Sequence, residues 1–181
     1  MKEEIIISGF GGQGVLSMGK LLAYAGMTEG KNVSWLPAYG PEQRGGTANV
    51  TVIVSDKSIA SPILSSYNTA ILLNQPSLDK FMHRIRPGGT LIFDTFGIAT
   101  PPCRSDINIY EINAMDTAAE LKNIKTFNMV ILGGYLKIHP IVTVQDIEYA
   151  LHKTLPERHH ASIPVNIEAL RKGMEIIKKI N

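Results

Sequence analysis

The chain has 181 residues and only one cysteine, and this scarcity limits the redox chemistry it can perform. A single thiol cannot form an internal disulfide, and an iron–sulfur cluster needs about four cysteine ligands. Any redox centre that works with this chain is therefore expected on another chain. Cys103 lies in a loop beside two prolines, with no base placed next to it by the sequence, so we do not predict a nucleophile there.

Long apolar runs and a strong charge of one sign are also missing. No run approaches the roughly 20 residues of a membrane helix. The first residues, Met-Lys-Glu-Glu, contain acids and lead straight into a strand-like segment, unlike a signal peptide. The net charge is only +2 and the basic residues are scattered, which argues against a nucleic-acid-binding face. We expect neither membrane nor nucleic acid as a partner, and a cytoplasmic location.

Metal-binding patterns are absent as well. The five histidines include the pair His159-His160, but none has the spacing and the acidic partner of a zinc site. The chain also lacks a Gly-Asp-Gly followed by a distant Asn, the magnesium–diphosphate motif of thiamine enzymes. We predict no metal site on this chain.

What is present predicts a single α/β domain over residues 1–181. Apolar residues make up 44% and charged residues 19%, which is typical of a globular protein. Apolar and β-rich runs predict strands at 5–8, 33–36, 47–54, 69–73, 90–94 and 107–112. Helical patterns are predicted at 15–27, from 75 to about 86, and at 114–122, 129–138, 145–153 and 164–180. Gly30 is expected to stop the first helix, and Asn113, Asn128 and Thr143 lie near helix starts, as caps do. Asp94, at the end of a strand, is expected in a helix-cap or turn role.

The order of these elements predicts a Rossmann-like, three-layer architecture with a helical C-terminal part. Continuous apolar strands indicate a mostly parallel sheet. We expect an antiparallel β-hairpin in which strand 47–54 turns at 55–58 and returns from Ile59. Pro87-Gly88-Gly89 should form a turn before strand 90–94, and the last helix should carry lysines in its final turn.

A glycine-rich turn follows the first strand and opens the first helix. Gly9, Gly11 and Gly14 stand at dinucleotide-fingerprint spacing. Such a turn offers the unpaired N–H groups of a helix N-terminus to an anion. However, the second strand ends at Leu36-Pro37 without the acid that would hold a ribose, and no Walker lysine is present. The glycines therefore serve an anion, such as a cofactor phosphate, or packing and partner contact, and a true NAD site is the least favoured of the three alternatives.

A second loop follows the second strand and concentrates polar groups between turn-forming residues. Its sequence is Tyr39-Gly40-Pro41-Glu42-Gln43-Arg44-Gly45-Gly46. Arg44 can grip a carboxylate or phosphate with its planar guanidinium, and the two glycines allow another backbone to approach. Because both loops leave the carboxyl ends of strands, we expect them at the ligand-binding edge of the sheet.

Together the two motifs resemble the gamma subunit of the 2-oxoacid:ferredoxin oxidoreductases, most closely the 2-oxoglutarate and branched-chain 2-oxoacid types. The resemblance extends through residues 50–62, 128–130 and the C-terminal helix. It implies a complex that converts a 2-oxoacid, coenzyme A and oxidised ferredoxin into acyl-CoA, carbon dioxide and reduced ferredoxin. Thiamine diphosphate, Mg²⁺, iron–sulfur clusters and coenzyme A would be held through alpha, beta and delta subunits, with ferredoxin an indirect partner.

The resemblance implies 2-oxoglutarate as the first substrate, with pyruvate, branched-chain 2-oxoacids or indolepyruvate as alternatives. No residue is predicted to be catalytic, and the isolated chain should be inactive. A free-standing nucleotide-binding protein and a homodimer that buries the second loop are the rival hypotheses. The residues predicted to contact cofactor are Gly9, Gly11, Gly12, Gln13, Gly14, Tyr39, Glu42, Arg44, Gly45 and Gly46.

Overall fold

The computed structural model describes residues 1–39 and 47–181, and its described part is built on a seven-stranded mixed sheet. The strands are β1 Lys2–Phe10, β2 Asn32–Tyr39, β3 Thr47–Ser55, β4 Tyr67–Leu72, β5 Ile85–Asp94, β6 Asn108–Ile112 and β7 Lys178–Lys179. The helices are α1 Val15–Thr28, α2 Gln75–Phe81, α3 Ala114–Glu120, α4 Phe127–Ile138, α5 Val144–Thr154 and α6 Ile163–Ile176. Short 3₁₀ segments lie at Met82–Arg84, Ile124–Thr126 and Glu157–Ser162.

The sheet runs in the order β2-β3-β1-β4-β5-β6-β7. Strands β1, β4, β5 and β6 are parallel neighbours. Strand β3 is antiparallel to both β1 and β2, so β2 points in the same direction as β1. Five of the seven described strands therefore share one direction, and the prediction of an α/β fold with an antiparallel element is confirmed.

The antiparallel hairpin itself was assigned to the wrong partner. Strand β3 does not return through Ile59; it pairs with the preceding strand β2 from Tyr39↔Ala48 to Asn32↔Ser55. It also pairs with β1 along its whole length. Since β3 lies between two strands, its valines are buried, and this burial favours a position inside the sheet over a terminal hairpin. Residues 40–46, which follow β2 and precede β3 in the sequence, lie outside the described residues.

Helices cover the two faces of the sheet unequally. Ile5 and Ile7 of β1 face a large core built with α1, α3, α4, α5 and α6, whereas Ile6 faces a smaller core built with α2. The connection after β1 therefore leaves to one face, and the connection after β4 leaves to the other. Because β1 and β4 are neighbours, a topological switch point lies between their carboxyl ends, where ligands of open α/β sheets usually bind.

Helix α1 ends where the sequence indicated, at a glycine with a left-handed backbone. Gly30 has φ +70°, its N–H donates to the Met27 carbonyl at 3.0 Å, and the Lys31 N–H donates to the Gly26 carbonyl at 3.0 Å. This pair of bonds is a Schellman motif, which satisfies the last carbonyls of the helix. Helices α3, α4 and α5 also match their predicted positions to within about two residues.

Two further expectations were wrong in detail. The last helix ends at Ile176, and Lys178–Lys179 form β7 on the edge of β6 instead of a final helical turn. Backbone pairing and the Asn181 side chain, which accepts the Ile109 N–H at 2.7 Å, favour the strand. The predicted Pro-Gly-Gly turn lies inside β5 as a register irregularity, with Gly88 at φ +77° and its N–H bonded to the Asp106 carbonyl.

Candidate functional site

The two predicted loops leave the same edge of the sheet. Phe10 at the end of β1 pairs with Thr47, and Tyr39 at the end of β2 pairs with Ala48. One strand separates β1 from β2, so their ends lie two strand spacings apart, roughly 10 Å. The glycine loop and Tyr39 therefore flank the same short stretch of β3. The other predicted residues of the second loop, Glu42, Arg44, Gly45 and Gly46, lie outside the described residues.

The glycine loop leaves the N-terminus of α1 open. Gly12 and Gly14 have φ of +99° and +75°, a region that L side chains rarely adopt. Gly14 is the N-cap of α1, so no side chain caps the helix, and its first turn contains no acid. The first intrahelical bond runs from the Met18 N–H to the Gly14 carbonyl at 2.9 Å. This geometry leaves the partial positive end of the helix available to an anion.

The side chain of Gln13 fills the crevice at the switch point. Its Oε1 accepts the Phe10 N–H at 2.6 Å, and its Nε2 donates to the Leu73 carbonyl at 3.5 Å. The amide therefore bridges the ends of β1 and β4. A Cβ on Gly9 would lie 2.5 Å from Oε1 and 3.0 Å from the Leu73 Cβ, so a larger residue at Gly9 would push the Gln13 amide out of this position. Packing thus accounts for the first glycine of the fingerprint.

This arrangement differs from a dinucleotide site in two ways. The crevice that would admit the pyrophosphate holds the Gln13 amide. Furthermore, the second strand, which would supply the ribose-binding acid, is separated from the first by β3, and β2 contains no acid from Asn32 to its end at Tyr39. Both features argue against a nicotinamide dinucleotide on this loop.

Asn128 is a part of the loop's support that the sequence patterns did not predict. It was expected near the start of a helix as a cap, but it is the second residue of α4, and its side chain packs on Gly14. A Cβ on Gly14 would lie 2.7–2.8 Å from three atoms of the Asn128 side chain. The only sequence signal for a role of Asn128 at the glycine loop was that residues 128–130 share the resemblance to the gamma subunit. The last glycine of the fingerprint is therefore required by both its backbone angle and this contact.

Buried polar groups fix the strand ends below the loop. The hydroxyls of Ser8 and Ser77 are hydrogen-bonded at 2.8 Å, and Asn74 Oδ1 caps α2 by accepting the Ser77 N–H at 2.9 Å. Asp94 Oδ1 accepts the Ala114 N–H at 3.0 Å at the start of α3, the cap role predicted for it. Burial raises the pKa of Asp94, against the opposing effect of backbone hydrogen bonds. These groups give the edge a fixed shape.

Large apolar side chains are exposed at the same edge. Phe10 at the end of β1 is 41% exposed, and Phe96, just beyond the end of β5, is 74% exposed. Trp35 on β2 is partly packed, because its Nε1 donates to the Leu16 carbonyl at 3.4 Å. Exposed aromatic residues beside a polar loop are typical of a surface that meets another chain.

Over the described residues, no cluster of metal ligands and no membrane-spanning helix is present. Over residues 1–39 and 47–181, no three His, Cys, Asp or Glu side chains lie close enough together to hold a metal ion. None of the helices in those ranges is both long and apolar enough to cross a bilayer. Cys103 is exposed and unpaired by disulfide. The described part of the site therefore offers backbone donors, the Gln13 amide and exposed aromatic surface.

Comparisons with known proteins place this architecture in a family. Residues 4–176 match the family described as pyruvate ferredoxin/flavodoxin oxidoreductase. The 2-oxoglutarate synthase subunit KorC of Methanocaldococcus jannaschii is 31% identical, over 99% of this chain and 96% of the relative. The ketoisovalerate oxidoreductase subunit VorA of Methanothermobacter marburgensis is 42% identical over 130 residues, which are 72% of this chain.

That match spans only 27% of the length of the VorA protein, about a quarter. Among solved structures, the gamma subunit of a keto/oxoacid ferredoxin oxidoreductase from Geobacter sulfurreducens has a TM-score of 0.83 and 26% identity. It covers 97% of this chain and 96% of its own. The chain therefore belongs to the pyruvate ferredoxin/flavodoxin oxidoreductase family.

Proposed function

We propose that this chain is the gamma subunit of a 2-oxoacid:ferredoxin oxidoreductase and that 2-oxoglutarate is its first candidate substrate. The supporting observation is the end-to-end likeness to the 2-oxoglutarate synthase subunit KorC, whose length this chain matches almost fully. The complex would convert the 2-oxoacid, coenzyme A and oxidised ferredoxin into acyl-CoA, carbon dioxide and reduced ferredoxin. The higher identity to VorA favours a branched-chain 2-oxoacid as the second candidate.

Within such a complex, the redox and decarboxylation chemistry belongs to partner subunits. The one exposed cysteine of this chain does not fit an iron–sulfur cluster. The described residues also lack a cluster of carboxylates that could hold Mg²⁺ and the diphosphate of thiamine diphosphate. Alpha, beta and delta subunits would carry these groups, and ferredoxin would meet the complex through them.

We call the edge of the sheet where β1, β4 and β5 have their carboxyl ends the carboxyl edge. The proposed role of this chain is to dock on the catalytic subunits with this edge and to help enclose the anionic part of coenzyme A. The open N-terminus of α1 can attract a phosphate, and the exposed Phe10 and Phe96 can bury apolar surface against a partner. The remaining proposed contacts come from the loop between β2 and β3. The full set is Gly9, Gly11, Gly12, Gln13, Gly14, Tyr39, Glu42, Arg44, Gly45 and Gly46.

Reconstitution with the partner subunits tests this role. Arg44→Ala and Phe96→Ser should weaken assembly, measured by size-exclusion chromatography with light scattering, and should lower turnover of 2-oxoglutarate. Arg171→Ala on α6 is the matched control, since Arg171 is exposed on the helical face, away from the sheet edge. The relative rates with 2-oxoglutarate, 2-oxoisovalerate and pyruvate rank the substrates.

Two results would contradict the proposal. One is unchanged assembly and turnover in both edge variants. The other is tight binding of NAD or another nucleotide by the isolated chain with no need for partners, which would favour a free-standing nucleotide-binding protein. A stable homodimer that is abolished by Arg44→Ala would instead support burial of the loop between two copies.

A further inference from the structure

A hollow of about 450 Å³ lies on the helical face, on the outer side of α1. We call it the basic hollow. It is enclosed by α1, the 3₁₀ segment Ile124–Thr126, the start of α4, the end of α5 and the 3₁₀ segment before α6. Its apolar lining comes from Leu21, Met129, Leu151 and Leu155. This volume falls within the range of small-molecule sites, roughly 300–1,000 Å³.

The charged groups around the basic hollow are all cationic or histidine. Lys20 of α1 and Lys125 line it from two separate elements, together with His159. Among the described residues, no carboxylate lines it, and neither lysine takes part in an ion pair. The hollow between α5 and α6, of about 440 Å³, differs because Glu148, Glu168 and Glu175 offset its two basic residues. Only the first of these two hollows has an unbalanced positive charge.

Two polar side chains add donors that nothing else in the described structure uses. Ser17 lies in the first turn of α1, and Asn128 lies against Gly14; neither side chain has a hydrogen-bond partner among the described residues. The other polar groups of the lining are occupied within the protein. Thr154 donates to the Ala150 carbonyl, Ser162 to the His159 carbonyl and Asn166 to the Ser162 carbonyl. Ser17 and Asn128 are therefore the hydroxyl and the amide of the lining that are left to donate to a ligand.

We propose that the basic hollow binds a small phosphorylated organic anion of nucleoside-monophosphate size. The phosphate is held by Lys20 and Lys125, with Ser17 and Asn128 donating to its oxygens. A phosphate suits two cations and two neutral donors better than a carboxylate does, because it has three terminal oxygens and up to two negative charges. The organic part lies on the apolar lining.

This site adjoins the carboxyl edge at the N-terminus of α1 but has its own lining, and it does not depend on the proposed function. Phe10, Gln13 and Phe96 lie at the carboxyl edge, and they do not line the hollow. Asn128 is the link between the two regions, because it lines the hollow and also supports Gly14. A bound phosphate is thus placed to fix the Asn128 side chain under the glycine loop.

Titration of the full chain with AMP, followed by amide NMR shifts and by calorimetry, tests the proposal. AMP is expected to bind and to shift amides of α1 and of residues 124–129 and 159–166. The double variant Lys20→Ala/Lys125→Ala should weaken AMP binding at least tenfold. Lys137→Ala/Lys172→Ala is the matched control, removing two lysines that do not line this hollow, and it should leave the affinity unchanged. Both lysines of the test pair are exposed, so the variant should fold normally.

Adenosine and inorganic phosphate separate the two halves of the proposed ligand. Adenosine should bind much more weakly than AMP, because it lacks the phosphate. Inorganic phosphate should also bind more weakly, because it makes no use of the apolar lining. Equal affinity for AMP and phosphate would overturn the proposal that the ligand has an organic part that binds the apolar lining. Absence of AMP binding at millimolar concentration, or AMP binding that survives in Lys20→Ala/Lys125→Ala, would overturn the site itself.

Discussion

The side-chain oxygen of Gln13 accepts the backbone N–H of Phe10 at 2.6 Å, three residues earlier in the chain. The same amide donates to Leu73 at the end of β4, so one side chain connects two neighbouring strands across the switch point. This bridge gives the glycine loop its shape without any ligand. It also makes Gln13 the group that any anion entering the crevice must displace.

Gln13→Ala should lower the free energy of unfolding by about 1 kcal/mol, because a backbone donor and a backbone acceptor lose their partner. Gln13→Glu should be at least as damaging near neutral pH, since its carboxylate cannot donate to the Leu73 carbonyl. Urea denaturation measures both effects. Gln145→Ala, at an exposed position of α5, is the control and should change stability by less than about 0.5 kcal/mol. Equal stability of Gln13→Ala and wild type would show that the two hydrogen bonds of Gln13 do not stabilise the folded protein.

The crossing of α4 and α6 should not tolerate a methyl group. A Cβ on Gly133 would lie 1.8 Å from the Leu170 carbonyl oxygen, and one on Gly173 would lie 1.9 Å from the Val130 carbonyl oxygen. Since backbone blocks both positions, Gly173→Ala should cost about 3 kcal/mol or more. Gly30→Ala has open space and only the strain of φ +70°, so it should cost about 1 kcal/mol. Thermal unfolding of both variants provides the comparison, and similar losses would contradict the close crossing.

His139 should make stability depend on pH below neutrality. Burial lowers the pKa of His139 from its ordinary 6.5, so the unfolded chain takes up a proton before the folded protein does. Stability is therefore full above pH 6.5 and decreases as pH falls towards the folded pKa, with a slope of at most about 1.4 kcal/mol per pH unit. Denaturation of wild type and His139→Gln between pH 5 and 8 should give a flatter profile for the variant.

Three groups face the His139 ring from three elements. Glu3 of β1 lies 3.6 Å from Nδ1, Thr90 of β5 bonds Nε2 at 3.0 Å, and Tyr135 of α4 stacks on the ring. Burial also raises the pKa of Glu3, which acts in the opposite sense and adds stability as pH falls. The exposed His159→Gln is the control for a generic loss of histidine, and a profile matching that of His139→Gln would refute the assignment.

The capping box of α5 should contribute about 1 kcal/mol to the free energy of unfolding. Thr143 Oγ1 accepts the Asp146 N–H at 3.1 Å, and Asp146 Oδ2 accepts the Thr143 N–H at 2.8 Å. Thr143→Ala removes one of these bonds and should lower the urea midpoint accordingly. Asn113 stands at the N-cap of α3 without a capping bond, so Asn113→Ala should change stability by less than about 0.5 kcal/mol. A larger loss at Asn113 than at Thr143 would contradict the assignment of the two caps.

The sequence predicted those features whose causes are local. The apolar face and Gly30 located α1, and Thr143 located α5, because periodicity and caps act within one element. The prediction of strand pairing was wrong where the partner strand is distant in the sequence. Nothing within residues 47–54 indicates that β2 and β1 lie on either side of this strand. The end of α6 was misplaced for the same reason, since β6, which captures Lys178–Lys179, lies almost 70 residues earlier.

The candidate site also has features that the sequence predicts and features that depend on distant parts of the chain. The glycines and the common edge of the two loops follow from the motif and from the parallel direction of β1 and β2. The reasons for individual glycines do not, because they depend on side chains brought in by the fold. Gly9 is crowded by the Gln13 side chain, which folds back on it, and Gly14 is crowded by Asn128, more than 100 residues away. A spacing rule that was devised for a ligand could not reveal that the Gln13 and Asn128 side chains pack against these glycines.

The backbone contact between α4 and α6 also bears on the order in which a ribosome-bound chain can fold. Val130 and Gly173 touch only after the residues of α6 have been synthesised, and β3 must emerge before β1 has its antiparallel neighbour. The nascent chain therefore holds an apolar α4 uncovered while most of the sheet is already available. Such distant pairings slow folding, so the docking of α6 on α4 is expected to be a late step.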